Sequence, residues 1–250
     1  MTSETPTEDV ETKTETASVR RARGIKLFLR DILIIFVAAL VISFLIKTFL
    51  IRSFYIPSAS MMDTLHENDR IIVSLLTPEP IGINRGDVVV FRDPGGWLDP
   101  VVKPERTPLE EGIENALAFV GLAAPDSEDH LIKRVIGMPG DTVVCCDAFG
   151  QLSVNGVPLE EPYTRLPDGV TKATENDFDV TVPEGTLWVM GDNRYNSADS
   201  SYHHAQDPGH EFVPIDKVVG RAILITWPFD RWTWLDNYPL VFHGVESGKE

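Results

Sequence analysis

One long apolar stretch constrains this chain more than any other feature. Residues 32–51 carry only three polar side chains, those of Ser43, Lys47 and Thr48. A helix of about 20 residues spans the hydrocarbon core of a bilayer, because each residue adds about 1.5 Å. The stretch is therefore predicted to be a transmembrane anchor. No second stretch of this length follows, so we expect the chain to cross once.

A cleavable signal peptide is the alternative interpretation, with Ser58-Ala59-Ser60 as a small-x-small cleavage site. Two observations favour the anchor. The stretch exceeds the usual apolar region of ~7–15 residues, and a long polar segment precedes it.

The flanks of the stretch predict its orientation. Residues 1–19 are rich in Thr, Ser and Glu and are expected to be disordered. A basic cluster follows, made of Arg20, Arg21, Arg23, Lys26 and Arg30. Positive charge marks the cytoplasmic side. We therefore expect residues 1–31 in the cytoplasm, 32–51 in the plasma membrane, and 52–250 as an extracytoplasmic domain.

The charge of this domain excludes one class of partner. Residues 52–250 carry 15 basic and 32 acidic side chains. Phosphate binding needs a basic surface, so nucleic acid is not an expected partner. The adjacent Cys145 and Cys146 are interpreted as strand residues, one facing in and one out, with a vicinal disulfide as the alternative.

The domain is predicted to be mostly β, because short runs rich in β-branched residues alternate with turn residues. The predicted strands are 70–76, 87–91, 131–136, 142–146, 151–159, 187–190 and 218–227. Asn155-Gly156 predicts a two-residue hairpin turn. One helix is predicted, at 108–122, inside a Pro- and Gly-rich insertion at 94–129.

Three stretches carry groups suited to catalysis. In the first, residues 54–65, Ser58 and Ser60 follow Pro57 two residues apart, a spacing that puts both hydroxyls on one face of an extended segment. An ordinary loop has the same composition. In the second, residues 131–141, Lys133 stands in an apolar strand. It is either a snorkelling lysine or a desolvated amine, whose lowered pKa would make it a general base.

The third stretch is the polar loop 191–200. Such loops are often simply solvated. This one also offers Ser197 and Asp199 as groups that would orient a catalytic amine.

In their order along the chain, these stretches resemble type I signal peptidases, the membrane-bound Ser-Lys endopeptidases that remove signal peptides from exported proteins. The matching pieces are 56–61 with Thr64 and Leu65, 86–91, 132–137 with 139–141, and 191–194 with 196–200. The resemblance covers about residues 32–227. It implies a mainly β fold with two antiparallel β-sheet parts behind one transmembrane helix. The smaller part would lie at about 142–185.

The resemblance also implies roles for individual residues. Ser60 would be the nucleophile and Lys133 its general base. Ser58 would donate to the oxyanion hole beside the backbone N–H of Ser60. Supporting roles fall to Ser197, next to Lys133, and to Asp192, Asp199 and Arg134. The pockets for small residues before the cut would be lined by Phe54, Ile56, Pro57, Leu65 and Ile132.

The implied partners are exported preproteins with cleavable signal peptides, the lipid bilayer and, as a neighbour, the protein-export channel. No cofactor or metal is implied. Ser60 follows Ile51 by nine residues, at most about 30 Å of extended chain, so we expect it near the outer membrane surface. Trp227, Phe229, Trp232 and Trp234 would either contact lipid or belong to the core or to an ordinary apolar patch.

The chain departs from the family pattern at three positions. Asp63 stands where many members have Pro, and Tyr195 and Ser201 stand where some have Asp and Arg. The histidines at 203, 204 and 210 are interpreted as part of an exposed loop.

Two rival functions were weighed against this one. A soluble-type Ser-Lys self-cleaving repressor predicts a DNA-binding segment where this chain has an acidic tail and an anchor. An inactive membrane-anchored binding protein is disfavoured by the intact Ser60 and Lys133, and an activity assay separates it from an enzyme.

Overall fold

The computed structural model describes residues 9–98, 107, 110 and 129–246, with the backbone alone for 9–25. The chain divides into two compact units, Met1–Thr48 and Phe49–Glu250. The predicted helix at 108–122, apart from Glu110, lies outside the described residues, as does most of the insertion.

The first unit is built on one helix, α1, which spans Asp9–Phe49. Its segment Lys26–Phe49 has 24 residues, contains an 18-residue stretch with a mean hydropathy of 2.7, and is long and apolar enough to cross a membrane. The helix begins well before residue 32, and the backbone of residues 9–19 is helical where disorder was expected. Residues 9–23 contain neither Gly nor Pro, so nothing in that segment ends the helix.

The second unit contains a large antiparallel sheet of eight strands. Their order is β1-β2-β11-β3-β4-β9-β10, with β12 paired to β11. The strands are β1 Ile51–Tyr55, β2 Arg70–Ser74, β3 Val88–Arg92, β4 His130–Gly137, β9 Thr186–Met190, β10 Val213–Pro214, β11 Val218–Trp227 and β12 Thr233–Trp234.

A smaller antiparallel sheet of four strands lies between β4 and β9 in the sequence, in the order β7-β6-β5-β8. Its strands are β5 Thr142–Cys145, β6 Leu152–Val154, β7 Val157–Pro158 and β8 Phe178–Thr181. The predicted fold class, mainly β with two antiparallel sheet parts and one N-terminal apolar helix, is confirmed. The predicted hairpin turn at Asn155-Gly156 joins β6 to β7.

The central strands of the large sheet are buried on both faces, which is why they read as unbroken apolar runs. In β3, Val88 and Val90 pack into one core cluster, while Val89 and Phe91 pack into another on the opposite face. Such a strand leaves no wet face. A polar side chain on the neighbouring β4 is therefore buried and must find partners within the protein.

A short helix, α2, spans Ser200–Gln206 and follows β9. It contains His203 and His204, so the interpretation of these two residues as loop residues is wrong. Asp199, which lies in the polar loop, is the N-terminal cap of this helix, so the helix begins directly where the loop ends. Two short 3₁₀ turns, Ile215–Lys217 and Phe229–Arg231, flank β11.

The two cysteines are joined at the end of β5. Cys145 is buried in the core beneath the small sheet, Cys146 is partly buried, and their sulfur atoms form a disulfide. The favoured prediction, two unbridged strand residues, is therefore wrong, and the alternative of a vicinal disulfide between Cys145 and Cys146 is the one observed. The inward direction of Cys145 agrees with the alternation of β5.

Candidate active site

The two serines lie in the turn that follows β1. Ser58 is exposed, Ser60 is buried, and their hydroxyl oxygens are 3.3 Å apart. Backbone hydrogen bonds from Ile56 N to Asp69 O and from Asn68 N to Ile56 O fix the segment that leads into the turn. The spacing of two residues therefore brings both hydroxyls together, as the sequence predicts.

The loop after β9 holds the backbone of Ser60 from the other side. Asn193 donates its N–H to Ser60 O at 3.1 Å and its side-chain amide to Ala59 O at 3.0 Å. A Cβ at Gly191 would collide with Ser197 Oγ and with Ser60 O, so this close approach requires glycine. Within the described part of the chain, the N–H of Ser60 has no hydrogen-bond acceptor.

The side chain of Lys133 projects from β4 toward the hydroxyl of Ser60. Its side chain is 4% exposed, and Nζ lies 2.8 Å from Ser60 Oγ. Burial lowers the pKa of the Lys133 amine to about 8, although the charges of Asp199 and Asp192 oppose that shift. Of the two interpretations of Lys133, the structure has the desolvated amine.

The carboxylate of Asp199 is wholly buried and faces neutral donors. It accepts hydrogen bonds from the N–H of Gly191 at 2.9 Å and from the N–H and hydroxyl of Ser201 at 3.0 and 2.7 Å. No Lys or Arg nitrogen among the described residues lies within 4.0 Å of it. Its charge acts on Lys133 through space.

Asp192, in contrast, makes a direct ion pair. Arg134 Nε and Nη2 meet its two carboxylate oxygens at 2.9 and 2.7 Å, and both side chains are fully buried. The guanidinium also donates to Gly86 O at 2.7 Å and lies 4.0 Å from the ring centre of Tyr163. The next strand residue after Lys133 thus neutralises one of the two carboxylates near the amine.

The sequence did not reveal a second buried ion pair. Arg194 Nη1 and Nη2 lie 2.7 and 2.6 Å from the Glu161 carboxylate, and Nε donates to Gly191 O at 3.1 Å. Asn193 and Arg194 belong to the polar loop that the sequence indicates. The contacts of these two side chains could not be predicted from it. Glu161 lies in a Pro- and Glu-rich connection that carries no signal of burial.

Ser197 lies near the site without a hydrogen bond to Lys133. Its hydroxyl oxygen is buried beside Gly191 and has no partner among the described residues. Its predicted place next to the amine stays a prediction.

Four of the five predicted pocket residues share one core cluster, and the fifth lies outside it. Phe54, Ile56, Leu65 and Ile132 are all buried, at 8% exposure or less, and would form the floor of any pocket. Pro57 is exposed. Four of the predicted pocket residues thus form one apolar surface next to the turn that carries Ser58 and Ser60.

The β4 strand has an open edge beside this floor. Its pairing with β9 begins only at Arg134, opposite Met190. Residues 131–133 have no partner strand on that side in the described part of the chain. An extended peptide can add to such an edge through its backbone.

These parts suit acyl transfer. A hydroxyl in contact with a buried amine supplies a nucleophile and its base. A free N–H and a neighbouring hydroxyl supply donors for a developing oxyanion. No group of three or more His, Cys, Asp and Glu residues in the described ranges is arranged to hold a metal ion.

Comparison with known proteins points the same way. Residues 29–227 match the family described as signal peptidase, peptidase S26. A protein described as probable signal peptidase I from Mycobacterium leprae is 41% identical over 71% of this chain and 68% of its own. Signal peptidase I of Mycobacterium tuberculosis is 40% identical over 82% and 74%. Signal peptidase I U of Bacillus subtilis is 30% identical over 86% and 95%.

The Arg134–Asp192 pair predicts a large loss of stability on removal of the cation. Arg134→Met leaves the buried Asp192 charge uncompensated, which costs roughly 3–5 kcal/mol of unfolding free energy. Urea unfolding of the detergent-solubilised chain, followed by tryptophan fluorescence, measures the change.

The exposed pair of Arg165 and Asp63 is the matched control. Its atoms are 2.7 Å apart, but its side chains are 51% and 64% exposed. Arg165→Met should cost at most about 1 kcal/mol. Equal losses of unfolding free energy in Arg134→Met and Arg165→Met would contradict the expectation that a buried ion pair is more costly to break than an exposed one.

Proposed function

Because the chain belongs to the signal peptidase family, peptidase S26, and is a serine peptidase, we propose that Ser60 and Lys133 are the dyad with which it removes signal peptides from exported preproteins. The distance of 2.8 Å between Ser60 Oγ and Lys133 Nζ carries this proposal. Both residues are buried, so the hydrogen bond between the amine and the hydroxyl is shielded from water.

In the first half of the reaction, neutral Lys133 takes the proton of Ser60 as Oγ attacks the carbonyl carbon of the scissile bond. The carbonyl oxygen gains a negative charge. When this tetrahedral intermediate collapses, the Lys133 ammonium returns the proton to the leaving amine. The mature protein departs, and the signal peptide stays bound to Ser60 as an ester.

In the second half, water replaces the leaving amine. Lys133 takes one proton from the water as its oxygen attacks the ester carbonyl. Collapse of the second intermediate breaks the bond to Ser60 Oγ, which regains its proton from Lys133. The signal peptide leaves with a new carboxylate, and the enzyme is restored.

The surroundings of Lys133 support its role as base. The pKa of a lysine in water is 10.5, whereas burial brings the pKa of this amine to about 8, so that the neutral base forms at a much lower pH. Arg134 holds Asp192, and neutral donors hold Asp199, so neither carboxylate is in contact with the ammonium. Ser197 lies within the same loop and is proposed to orient the amine once substrate excludes water.

The oxyanion would lie between the Ser60 N–H and the Ser58 hydroxyl. Asn193 donates its side-chain amide to the carbonyl of Ala59, which belongs to the same peptide group as the Ser60 N–H, and so fixes the direction of that N–H. Pro57 restricts the backbone just before Ser58. Both donors are thus positioned before the negative charge develops, which is when such groups lower the barrier most.

The preference for small residues at the first and third positions before the cut follows from the floor of the site. An extended substrate on the open edge of β4 would turn alternate side chains toward the cluster of Phe54, Ile56, Leu65 and Ile132. These residues fill that space with their own side chains. Shallow pockets admit alanine or serine and reject larger residues. Pro57 would border the pocket mouth.

The apolar helix is proposed as the anchor that keeps the enzyme at the plasma membrane. The basic cluster before it supports an orientation with the N-terminus in the cytoplasm and residues 52–250 outside. On that side signal peptides emerge from the protein-export channel, so we propose that the enzyme works next to it.

The dyad is tested by preprotein cleavage with purified chain in detergent, using a substrate with an Ala-x-Ala site. Ser60→Ala, Lys133→Met and Lys133→Arg should all be inactive. Alanine removes the nucleophile, methionine has no basic nitrogen, and arginine stays protonated. For the wild type, kcat/KM should fall about tenfold per pH unit below pH ~8, because the base is then protonated.

Unchanged circular dichroism and thermal unfolding of Ser60→Ala would show that only the hydroxyl was lost. Cleavage by Ser60→Ala would exclude Ser60 as the nucleophile. Substantial activity of Lys133→Arg would place the base elsewhere. A fully folded wild type with no cleavage would favour the binding-protein alternative.

Ser58 separates transition-state stabilisation from substrate binding. Ser58→Ala removes one oxyanion donor and should lower kcat roughly 10²–10³-fold with little change in KM. Ser58→Thr keeps a hydroxyl and should retain much more activity. Steady-state kinetics on the same preprotein measures both. A near-normal kcat in Ser58→Ala would leave the oxyanion to the backbone alone.

Orientation is tested with protease added outside intact cells. The domain after Arg52 should be digested while an N-terminal epitope tag stays protected, because the basic cluster holds the tail inside. Digestion of the tag with protection of the large domain would reverse the assignment. Permeabilised cells, in which both parts should be digested, provide the control.

A further inference from the structure

A chain of hydroxyl groups reaches Asp199 from outside the motifs that carry the proposed reaction. Ser201 lies in the first turn of α2, and Thr174 lies in the connection between β7 and β8. Their hydroxyl oxygens are 3.3 Å apart, and Ser201 Oγ lies 2.7 Å from the Asp199 carboxylate. The three side chains are 3%, 1% and 0% exposed.

The direction of this chain follows from the donors available. A carboxylate only accepts, so at 2.7 Å the single hydroxyl proton of Ser201 points to Asp199. Ser201 then has only lone pairs left for Thr174, and the Thr174 hydroxyl must donate to it. The two dipoles line up toward the carboxylate and strengthen each other.

This arrangement matters because the negative charge of Asp199 has no ion-pair partner in contact with it in the described part of the chain. Backbone N–H groups and the Ser201 hydroxyl are its hydrogen-bond donors. The nearby charged or titratable groups are Lys133, across the site, and His203, one turn along α2. The other charge that acts on Lys133, that of Asp192, is paired with Arg134.

We propose that Ser201 and Thr174 are positioning residues. Their hydroxyls hold the Asp199 carboxylate in place and share its negative charge, and thereby control how readily Lys133 gives up its proton. This inference rests on the proposed role of Lys133 as the base. This chain thus stabilises the carboxylate with neutral N–H and hydroxyl donors.

The effect has a definite sign. Without the Ser201 hydroxyl, less of the Asp199 charge is offset locally, and the carboxylate attracts the Lys133 ammonium more strongly. The amine then holds its proton to higher pH, and the acid limb of the kcat/KM profile moves up. The Thr174 hydroxyl acts one bond further away, so its removal should have the same sign and a smaller size.

The experiment compares pH profiles of preprotein cleavage by the full chain in detergent. Ser201→Ala should move the acid limb up by about half a pH unit, which is about a threefold loss of kcat/KM below the limb. Above the limb the activity should return to within about twofold of wild type. Thr174→Val should shift the limb less, and Ser201→Thr and Thr174→Ser should keep the wild-type profile because each keeps a hydroxyl.

A hydroxyl pair on the small sheet, with no hydrogen bond to Asp199, is the control. Thr142 and Thr181, on β5 and β8, have their hydroxyl oxygens 3.4 Å apart and are exposed. Thr181→Val should not move the limb.

A uniform loss of activity at every pH in Ser201→Ala and Thr174→Val would show a merely structural role and overturn the proposal. A limb that moved to lower pH, or did not move, would overturn it too. If Ser201→Ala does not fold, the Thr174 pair of variants decides. Activity in Lys133→Arg would instead remove the proposed dyad, so the two failures are distinguishable.

Discussion

The burial of one amino group organises this site. Lys133 is enclosed by strands whose apolar residues cover both faces of the sheet, and an isolated ammonium in such a place is costly. The protein offers two carboxylates to offset that cost but keeps both from contact with the amine. Asp192 is paired with Arg134, and Asp199 is held by N–H and hydroxyl donors. Burial therefore lowers the pKa of the amine to about 8, so the amine loses its proton at a much lower pH than an exposed lysine does.

The loop after β9 both supplies a carboxylate near Lys133 and holds the backbone of Ser60 in place. It provides Asp192, places Asn193 on the carbonyl groups of Ala59 and Ser60, and ends at the cap of α2. Gly191 permits the close approach, and the Arg194–Glu161 pair holds its carbonyl. Charged groups that appear unrelated in the sequence thus fix one serine relative to one lysine.

Much of the fold was open to prediction from local pattern. The strands β3, β4, β9 and β11 appear within one residue of their predicted bounds, because unbroken β-branched runs bounded by turn residues have few alternatives. The strand β1 was missed because its first residue continues the apolar stretch of the helix. The strands β10 and β12 have two residues each, too few for any periodicity.

The sequence by itself determined the long apolar helix, the unbroken apolar runs of the central strands, and the two-residue spacing that brings the hydroxyls of Ser58 and Ser60 together. Each depends on neighbours along the chain, whose geometry the backbone dictates. Only the tertiary structure decided that Lys133 meets Ser60 across 73 residues, that Asp192 faces Arg134, and that Thr174 meets Ser201. Strand order and burial create these contacts. Both depend on how distant segments pack together, which residue spacing does not encode.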